Sequence, residues 1–260
     1  MYIKPYDELT IQDNFIFQKV MRNKRICKQT IERLLDIDIK DISYPEEEKS
    51  INVRLDSKSI RLDVYVNDDK GTVFNIEMQT TKDMDELVKR TRYYQGLIDI
   101  DNIEKGQNYS ALHDTYIIFI CTFGVFTGKR HKYTFKNLCI EDNEILLNDG
   151  TTKLFLSTKG EADDVSKPLK MFLDYVDGKK PEDALMQEID HEVDTVKHCD
   201  EWRRDYMTLA LEMDKKWREG KAEGKIEAIR NAIKDGLTTL AAVKKSGRYT
   251  EEEIAAIAAP

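Results

Sequence analysis

Two periodicities organise the chain. From 60 to 78, apolar side chains fall on every second residue: Ile60, Leu62, Val64 and Val66, then Phe74, Ile76 and Met78. Period two is the spacing of a strand with two unlike faces. The polar run "NDDKG" at 67–71 separates the two segments, so they read as a hairpin with strands near 60–66 and 74–78. The stretch "SINVRLDSKSI" extends the alternation upstream to about residue 50. Ahead of it, "LTIQDNFIFQKVMRNKRICKQTIERLL" repeats with helical period and breaks near Asn23, with Thr10 or Asp13 able to cap the first helix. Behind it, Leu87, Thr91, Tyr94 and Ile98 make one stripe of a helix over about 83–100. "YIIFICTF" at 116–123 is apolar throughout, as a strand buried on both faces is. A short strand at Tyr133–Phe135 follows. "EILLNDGTTKLFLS" then reads as a second hairpin with Asp149-Gly150 at its turn.

After Pro168 the pattern changes. From Pro181 onward the chain is helical and densely charged. Gly220 and Gly224 fall inside the helical pattern "KKWREGKAEGKIEAIRNAI", where they are expected to weaken or kink it. The last segment reads as two short helices around Gly247, the second opened by a Thr250–Glu253 capping box. These features predict an α/β domain over residues 1–170 and a helical extension over 171–260, with the boundary between 165 and 180.

The polar positions within the hairpin are the informative ones. If the apolar faces of the two strands lie together, Asp63 shares the opposite face with Asn75, Glu77 and Gln79. One register sets Asp63 opposite Asn75 and diagonal to Glu77; another sets it opposite Glu77. Either places the two Cβ atoms roughly 5–8 Å apart. Two carboxylates so close repel unless positive charge lies between them. A divalent cation supplies that charge, and Mg²⁺ favours one or two carboxylates with water and substrate phosphate completing its shell. Gln79, on the same face, is placed to orient a water or a phosphate. The same alternation also fits an antiparallel sheet with one wet face.

Composition narrows the classes. The 260 residues include 35% charged and 40% hydrophobic side chains and carry a net charge of −8. A uniformly basic nucleic-acid coat is therefore excluded, although local basic patches are not. The four cysteines (Cys27, Cys121, Cys139 and Cys199) lack paired spacing, which points to reduced thiols rather than a disulfide frame or zinc site. His191 and His198 are placed to share a helix face, but no second ligand pair accompanies them. Asp7 and Glu8 occupy the place of a leader's apolar segment, and the longest apolar run, at 116–126, is too short to cross a bilayer. A cytoplasmic protein with no membrane partner is the expectation.

At the hairpin the sequence resembles the PD-(D/E)XK nuclease superfamily, and more closely its Rpn-type recombination-promoting nucleases, or PD-(D/E)XK family transposases. The likeness rests on Asp63, thirteen intervening residues and "EMQ" at 77–79. "DNFIFQKVM", "RTRYYQGLI", "GQNYSALHDTYIIFICTF" and the glycine-punctuated tail follow in the family's order. The resemblance implies a restriction-endonuclease-like core, a mixed central sheet flanked by helices, and a Mg²⁺-dependent DNA endonuclease in which Mn²⁺ substitutes. It implies Asp63 and Glu77 as metal ligands, the Met78 carbonyl as a third, and Gln79 where the superfamily usually has lysine. It makes Asp13 the candidate for a further acidic residue on the first helix. Arg90 and Gln95, on the helix after the motif, are candidate phosphate contacts, whereas Tyr94 belongs to the apolar stripe. A role in recombination or mobile elements follows from the resemblance alone.

The DNA partner directs attention to basic side chains. "GKRHK" at 128–132 is one cluster; Lys89, Arg90 and Arg92 form another. Both are candidate phosphate contacts. The tail has helix-turn-helix proportions with Lys244, Lys245 and Arg248 near its turn, and homo-oligomerisation through it is the plainer expectation. The glutamine at 79 also fits an alternative, a catalytically silent nuclease fold that serves as a DNA-binding or assembly module.

Overall fold

The computed structural model describes residues 3–44, 50–51 and 60–259. The chain divides into two units, Asp7–Cys199 and a second formed by Met1–Tyr6 with Asp200–Pro260. The observed division falls some twenty residues beyond the expected boundary. The helices after Pro168 explain why: Leu169, Phe172, Leu173, Met186 and Ile189 are fully buried or nearly so, so α4 (Lys167–Val176) and α5 (Ala184–Lys197) are part of the larger core. Their charge lies on the outward side, which made them resemble the tail.

The larger unit opens with α1 (Asn14–Val20) and α2 (Lys24–Leu35). Met21 caps the end of α1, and Asn23 caps the start of α2 by accepting the N–H of Ile26. The strands are β1 (Ile42–Ser43), β2 (Ser50–Ile51), β3 (Ile60–Arg61), β4 (Val64–Asp68), β5 (Val73–Gln79), β6 (Thr115–Cys121), β7 (Lys132–Phe135) and β8 (Thr151–Ser157). Helix α3 (Met84–Asn102) follows β5, with Asp83 capping it through the N–H of Glu86. Six strands form one mixed sheet in the order β1-β4-β5-β6-β8-β7, and β2 pairs with β3 in a separate ribbon. In the large sheet β5, β6 and β8 are mutually parallel, whereas β1, β4 and β7 are antiparallel to their neighbours.

The β4–β5 hairpin forms as its turn residues require. The Asp68 carboxylate accepts the N–H groups of Lys70 and Thr72 at 2.9 and 2.8 Å. Gly71 takes φ +85°, and a Cβ there would lie 2.6 Å from the His113 ring, so both conformation and contact require glycine. The strand expected over 60–66 is divided, however. Ile60 and Arg61 pair with Ser50 and Ile51, and the large sheet begins only at Val64. The alternation expected over 52–59 lies outside the described residues.

The second expected hairpin is absent. Only its latter half is a strand, and β8 pairs with β6 and β7 rather than with residues 144–148. Ile145, Leu146 and Leu147 are exposed and form no strand, which removes the burial that an alternating pattern normally signals. Leu138 and Leu146 are joined by an isolated bridge.

The odd-numbered face of the sheet is covered by α3. Leu87, Tyr94, Leu97 and Ile98 pack with Tyr65, Ile117, Phe119, Cys121 and Phe155 in one cluster. The even-numbered side chains Val64, Val66, Phe74, Ile76, Met78, Ile118 and Ile120 are buried as well. Helix α1 runs against β5 and packs on α5; α2 packs on both α5 and α4. The face carrying Asp63, Asn75 and Glu77 is therefore not a wet one.

In the second unit α6 (Asp200–Lys234) is a single helix of 35 residues that continues through Gly220 and Gly224 without a break. Its surface there is open: a Cβ added at either glycine would meet nothing within 4 Å beyond the helix's own backbone. The short helices α7 (Leu240–Lys245) and α8 (Glu251–Ala258) follow, and α8 begins with the expected Thr250–Glu253 capping box. Arg230 on α6 donates to the Ala256 carbonyl, and Lys225 pairs with Glu253 at 2.9 Å.

Candidate active site

The site lies where the β4–β5 hairpin meets α3 and the start of α1. The hairpin pairs Val64 with Ile76 and Tyr65 with Asn75. Continued by one residue, that register sets Asp63 opposite Glu77, the second of the two arrangements that the alternation allows. The backbone N–H of Asp63 donates to Oε1 of Glu77 at 3.2 Å. The N–H of Met78 donates to Oδ2 of Asp63 at 3.1 Å. Antiparallel residues direct N–H and C=O to the same neighbour. The Met78 carbonyl therefore leaves β5 toward the Asp63 side.

Two amides from the first helix hold the other oxygen of Asp63. Nε2 of Gln18 donates to Oδ1 at 2.7 Å, and Nδ2 of Asn14 approaches it at 3.5 Å. Asn14 and Gln18 are four residues apart and so share one helix face. Asp13 stands at the N-cap position of α1, but its side chain turns back to accept the N–H of Thr10 at 2.7 Å and the Thr10 hydroxyl at 3.3 Å.

Glu77 is the buried member of the pair, only 4% exposed. Burial and the neighbouring negative charge of Asp63 hold its carboxyl well above the ordinary carboxylate range. The Asp63 N–H and the Arg90 guanidinium oppose that shift without cancelling it. Asn75 lies fully buried beside it, with neither amide atom in a hydrogen bond of normal distance and angle, although its proximity favours the charged form of Glu77 slightly.

Gln79 is tied on both sides. Its Nε2 donates to the Thr81 carbonyl at 2.9 Å, and its Oε1 accepts from Nη2 of Arg90. The guanidinium of Arg90 lies 5.1 Å from the Phe119 ring centroid and 5.7 Å from that of Tyr94, and its buried Nε has no partner. Gln95 takes a different direction, donating to Asp99 on its own helix at 2.8 Å. Tyr94 is buried in the α3 cluster.

The donor set suits a hard divalent cation. Two carboxylates and a carbonyl are oxygen ligands of the kind Mg²⁺ and Mn²⁺ take. The charge state agrees: a buried carboxyl facing a second one is relieved by a cation between them. Among the described residues no group of three or more His, Cys, Asp or Glu side chains is arranged to hold an ion. The remaining ligands would therefore be water and substrate oxygens.

The basic loop at 128–132 is differently employed. Lys129 pairs with Glu161 at 2.8 Å and Arg130 with Asp164 at 3.2 Å. Lys132 donates to the Leu34 carbonyl at 3.2 Å. His131 is buried, with Nδ1 3.1 Å from Asp164 and 2.9 Å from the Ala162 carbonyl. Lys89 and Arg92 on α3 are exposed. All four cysteines are free thiols. Burial pushes the Cys121 thiol up to about 12, against the opposing influence of Arg90. No helix among the described residues is long and apolar enough to cross a membrane.

Sequence patterns alone did not single out Asn14, Gln18 or Phe119, and they gave Asn75 only as a polar position on the hairpin face. The four-residue spacing of Asn14 and Gln18 within an otherwise apolar helix was the available signal. The contact of Phe119 with Arg90 depends on the parallel pairing of β5 with β6, which no local pattern specifies.

No curated protein and no solved structure matches the chain significantly. Residues 14–159 match the family described as PD-(D/E)XK nuclease family transposase. The matched segment runs from the first residue of α1 to just past the end of β8, and so contains every residue of the site.

Proposed function

The chain belongs to the PD-(D/E)XK nuclease family transposases, and on that premise we propose that it is a divalent-metal-dependent endonuclease hydrolysing DNA phosphodiesters in recombination or transposition. Membership supports a nuclease-like, transposase-related function. The observation that carries the finer reading is the Asp63–Glu77 pair, two carboxyl groups joined through a 3.2 Å backbone contact, one of them buried.

Asp63, Glu77 and the Met78 carbonyl would hold the cation, Mg²⁺ or Mn²⁺. Bound there, such an ion supplies Lewis-acid polarisation of a phosphoryl oxygen and acidifies water. The chain's own groups do the rest. Gln18, Asn14 and the Met78 N–H fix the Asp63 carboxylate, so that it meets the ion without reorganising. Glu77 must give up its proton to serve as a ligand. Arg90 presents N–H donors suited to a phosphate. Lys89 and Arg92 add exposed charge on the same helix for neighbouring phosphates.

Plasmid nicking with Mg²⁺ or Mn²⁺ tests this reading, alongside calorimetric Mn²⁺ titration of the wild type and Asp63→Ala. Cleavage and ion binding that both vanish in the variant support it. Equal residual cleavage in both proteins would expose a contaminant. A wild type that binds DNA but neither cleaves nor takes up Mn²⁺ would identify a silent nuclease fold acting as a binding module.

A further inference from the structure

We propose that Gln79 acts through Arg90: it is a positioning residue that aims the Arg90 guanidinium at the scissile phosphate, rather than a group that touches water or metal itself. This rests on the endonuclease reading above and assigns the division of labour within that site.

The amide of Gln79 has only one workable orientation. One of its ends faces the Thr81 carbonyl, which can only accept, and the other faces the Arg90 guanidinium, which can only donate. The nitrogen must therefore point to Thr81 and the oxygen to Arg90. Thr81 is two residues along the same chain, so the amide is anchored where β5 ends. Both polar ends are thereby engaged within the protein.

Arg90 is held from three directions. Gln79 takes one Nη, the Phe119 ring lies 5.1 Å from Cζ and the Tyr94 ring 5.7 Å. A guanidinium stacked on aromatic rings and fixed at one nitrogen retains further N–H donors in a rigid planar fork. Its charge reaches Glu77, where it favours the carboxylate, so it stands within electrostatic range of the acidic pair. It also acts on Cys121, on the face of the sheet that α3 covers. A cation fixed beside two carboxylates is placed to offset charge that develops on a phosphorane-like transition state. A neutral amide at 79 suits this arrangement, because a cationic side chain there would repel Arg90.

Gln79→Ala, Arg90→Lys, Arg90→Ala and the double variant Gln79→Ala/Arg90→Ala separate the alternatives. Nicking with Mn²⁺ is expected to fall in kcat by roughly 100-fold for Arg90→Ala and roughly 10-fold for Gln79→Ala. The double variant should be no slower than Arg90→Ala, since Gln79 has nothing left to position. Arg90→Lys should restore part of the rate and lose its sensitivity to position 79. Mn²⁺ should still bind every variant, because neither side chain is a ligand; its affinity should match wild type in Gln79→Ala and shift only modestly where Arg90 is removed, since that charge bears on Glu77. A double variant slower than Arg90→Ala by the full Gln79→Ala factor would overturn the proposal, as would loss of Mn²⁺ binding in Gln79→Ala.

A second readout needs no turnover. In EDTA, binding of an uncleaved duplex should weaken alike in Gln79→Ala and Arg90→Ala, each lowering the salt slope by about one. The Arg90 guanidinium NMR signal should lose its restricted rotation in Gln79→Ala. Wild-type-like binding and rotation in Gln79→Ala would refute the positioning role. Absence of both nicking and Mn²⁺ uptake in the wild type would instead remove the endonuclease reading beneath it.

Discussion

Two ionisable pairs in the larger unit, each with a buried member, are built on opposite logic. At the end of β8's neighbour β7, His131 and Asp164 are complementary. The Asp164 carboxylate receives the His131 backbone and ring and the Arg130 side chain. Burial alone would push that carboxyl up, but the His131 N–H, the imidazole and the Lys132 N–H outweigh it and hold the group below its usual range. On β5, Glu77 is buried against a second carboxyl, and its pKa moves the other way. A satisfied pair ties loops together. A like-charged pair costs stability unless something else neutralises it. The contrast supports the proposal that Asp63–Glu77 is the site, while His131 and Arg130 of the "GKRHK" loop are engaged within the fold, although both looked chemically promising in sequence.

The sharpest way to break this comparison is at Asp63. Asp63→Ala should reduce nicking by about 10³-fold or more and abolish Mn²⁺ binding, with little loss of folding stability. Asp164→Ala should do the reverse. Removing the shared acceptor of a buried pair typically costs about 3 kcal/mol, which denaturant titration would register, while Mn²⁺ affinity stays unchanged.

The two pairs should also show opposite pH slopes. Glu77 has a raised folded pKa, so the metal-free fold binds the extra proton. Its contribution is therefore favourable at acid pH and is lost as pH rises through the raised value. Asp164 has a depressed folded pKa, so its contribution is present above the ordinary carboxylate range and lost as pH falls through the lowered value. Urea titrations in EDTA should find Glu77→Gln more stable than wild type at neutral pH and equal to it near pH 4. That variant should bind no Mn²⁺. A wild type whose Mn²⁺ affinity does not rise with pH would contradict the assignment of Glu77 as a ligand. The smallest effect belongs to Lys129→Ala, which removes an exposed ion pair with Glu161. Neither melting temperature nor duplex affinity should change measurably. A clear loss of DNA affinity there would return the basic loop to the interface.

Much of this was legible beforehand because it is local. The β4–β5 turn, the stripe of α3 and the break at Asn23 each follow from adjacent residues. The convergence of Asp63 and Glu77 follows from period two and the turn length. What the pattern could not reveal was non-local. The second hairpin failed because β8 found β6 and β7 as partners, and an apolar alternation does not name its neighbour. The glycines of α6 suggested a kink, yet a helix that meets no neighbour at Gly220 and Gly224 has no cause to bend there. The direction of Gln95 and the anchoring of Gln79 depend on which side chains oppose them, as does the use of Arg130 and His131 within the fold.

The interruption between Arg61 and Val64 has a mechanical consequence. Glu77 is embedded in the middle of the large sheet, but Asp63 sits at the junction where the chain leaves the β2–β3 ribbon and joins β4. On the proposed reading, one carboxylate is thus carried by the frame of the sheet and the other by the joint between two sheets, where Gln18, Asn14 and the Met78 N–H hold it in place.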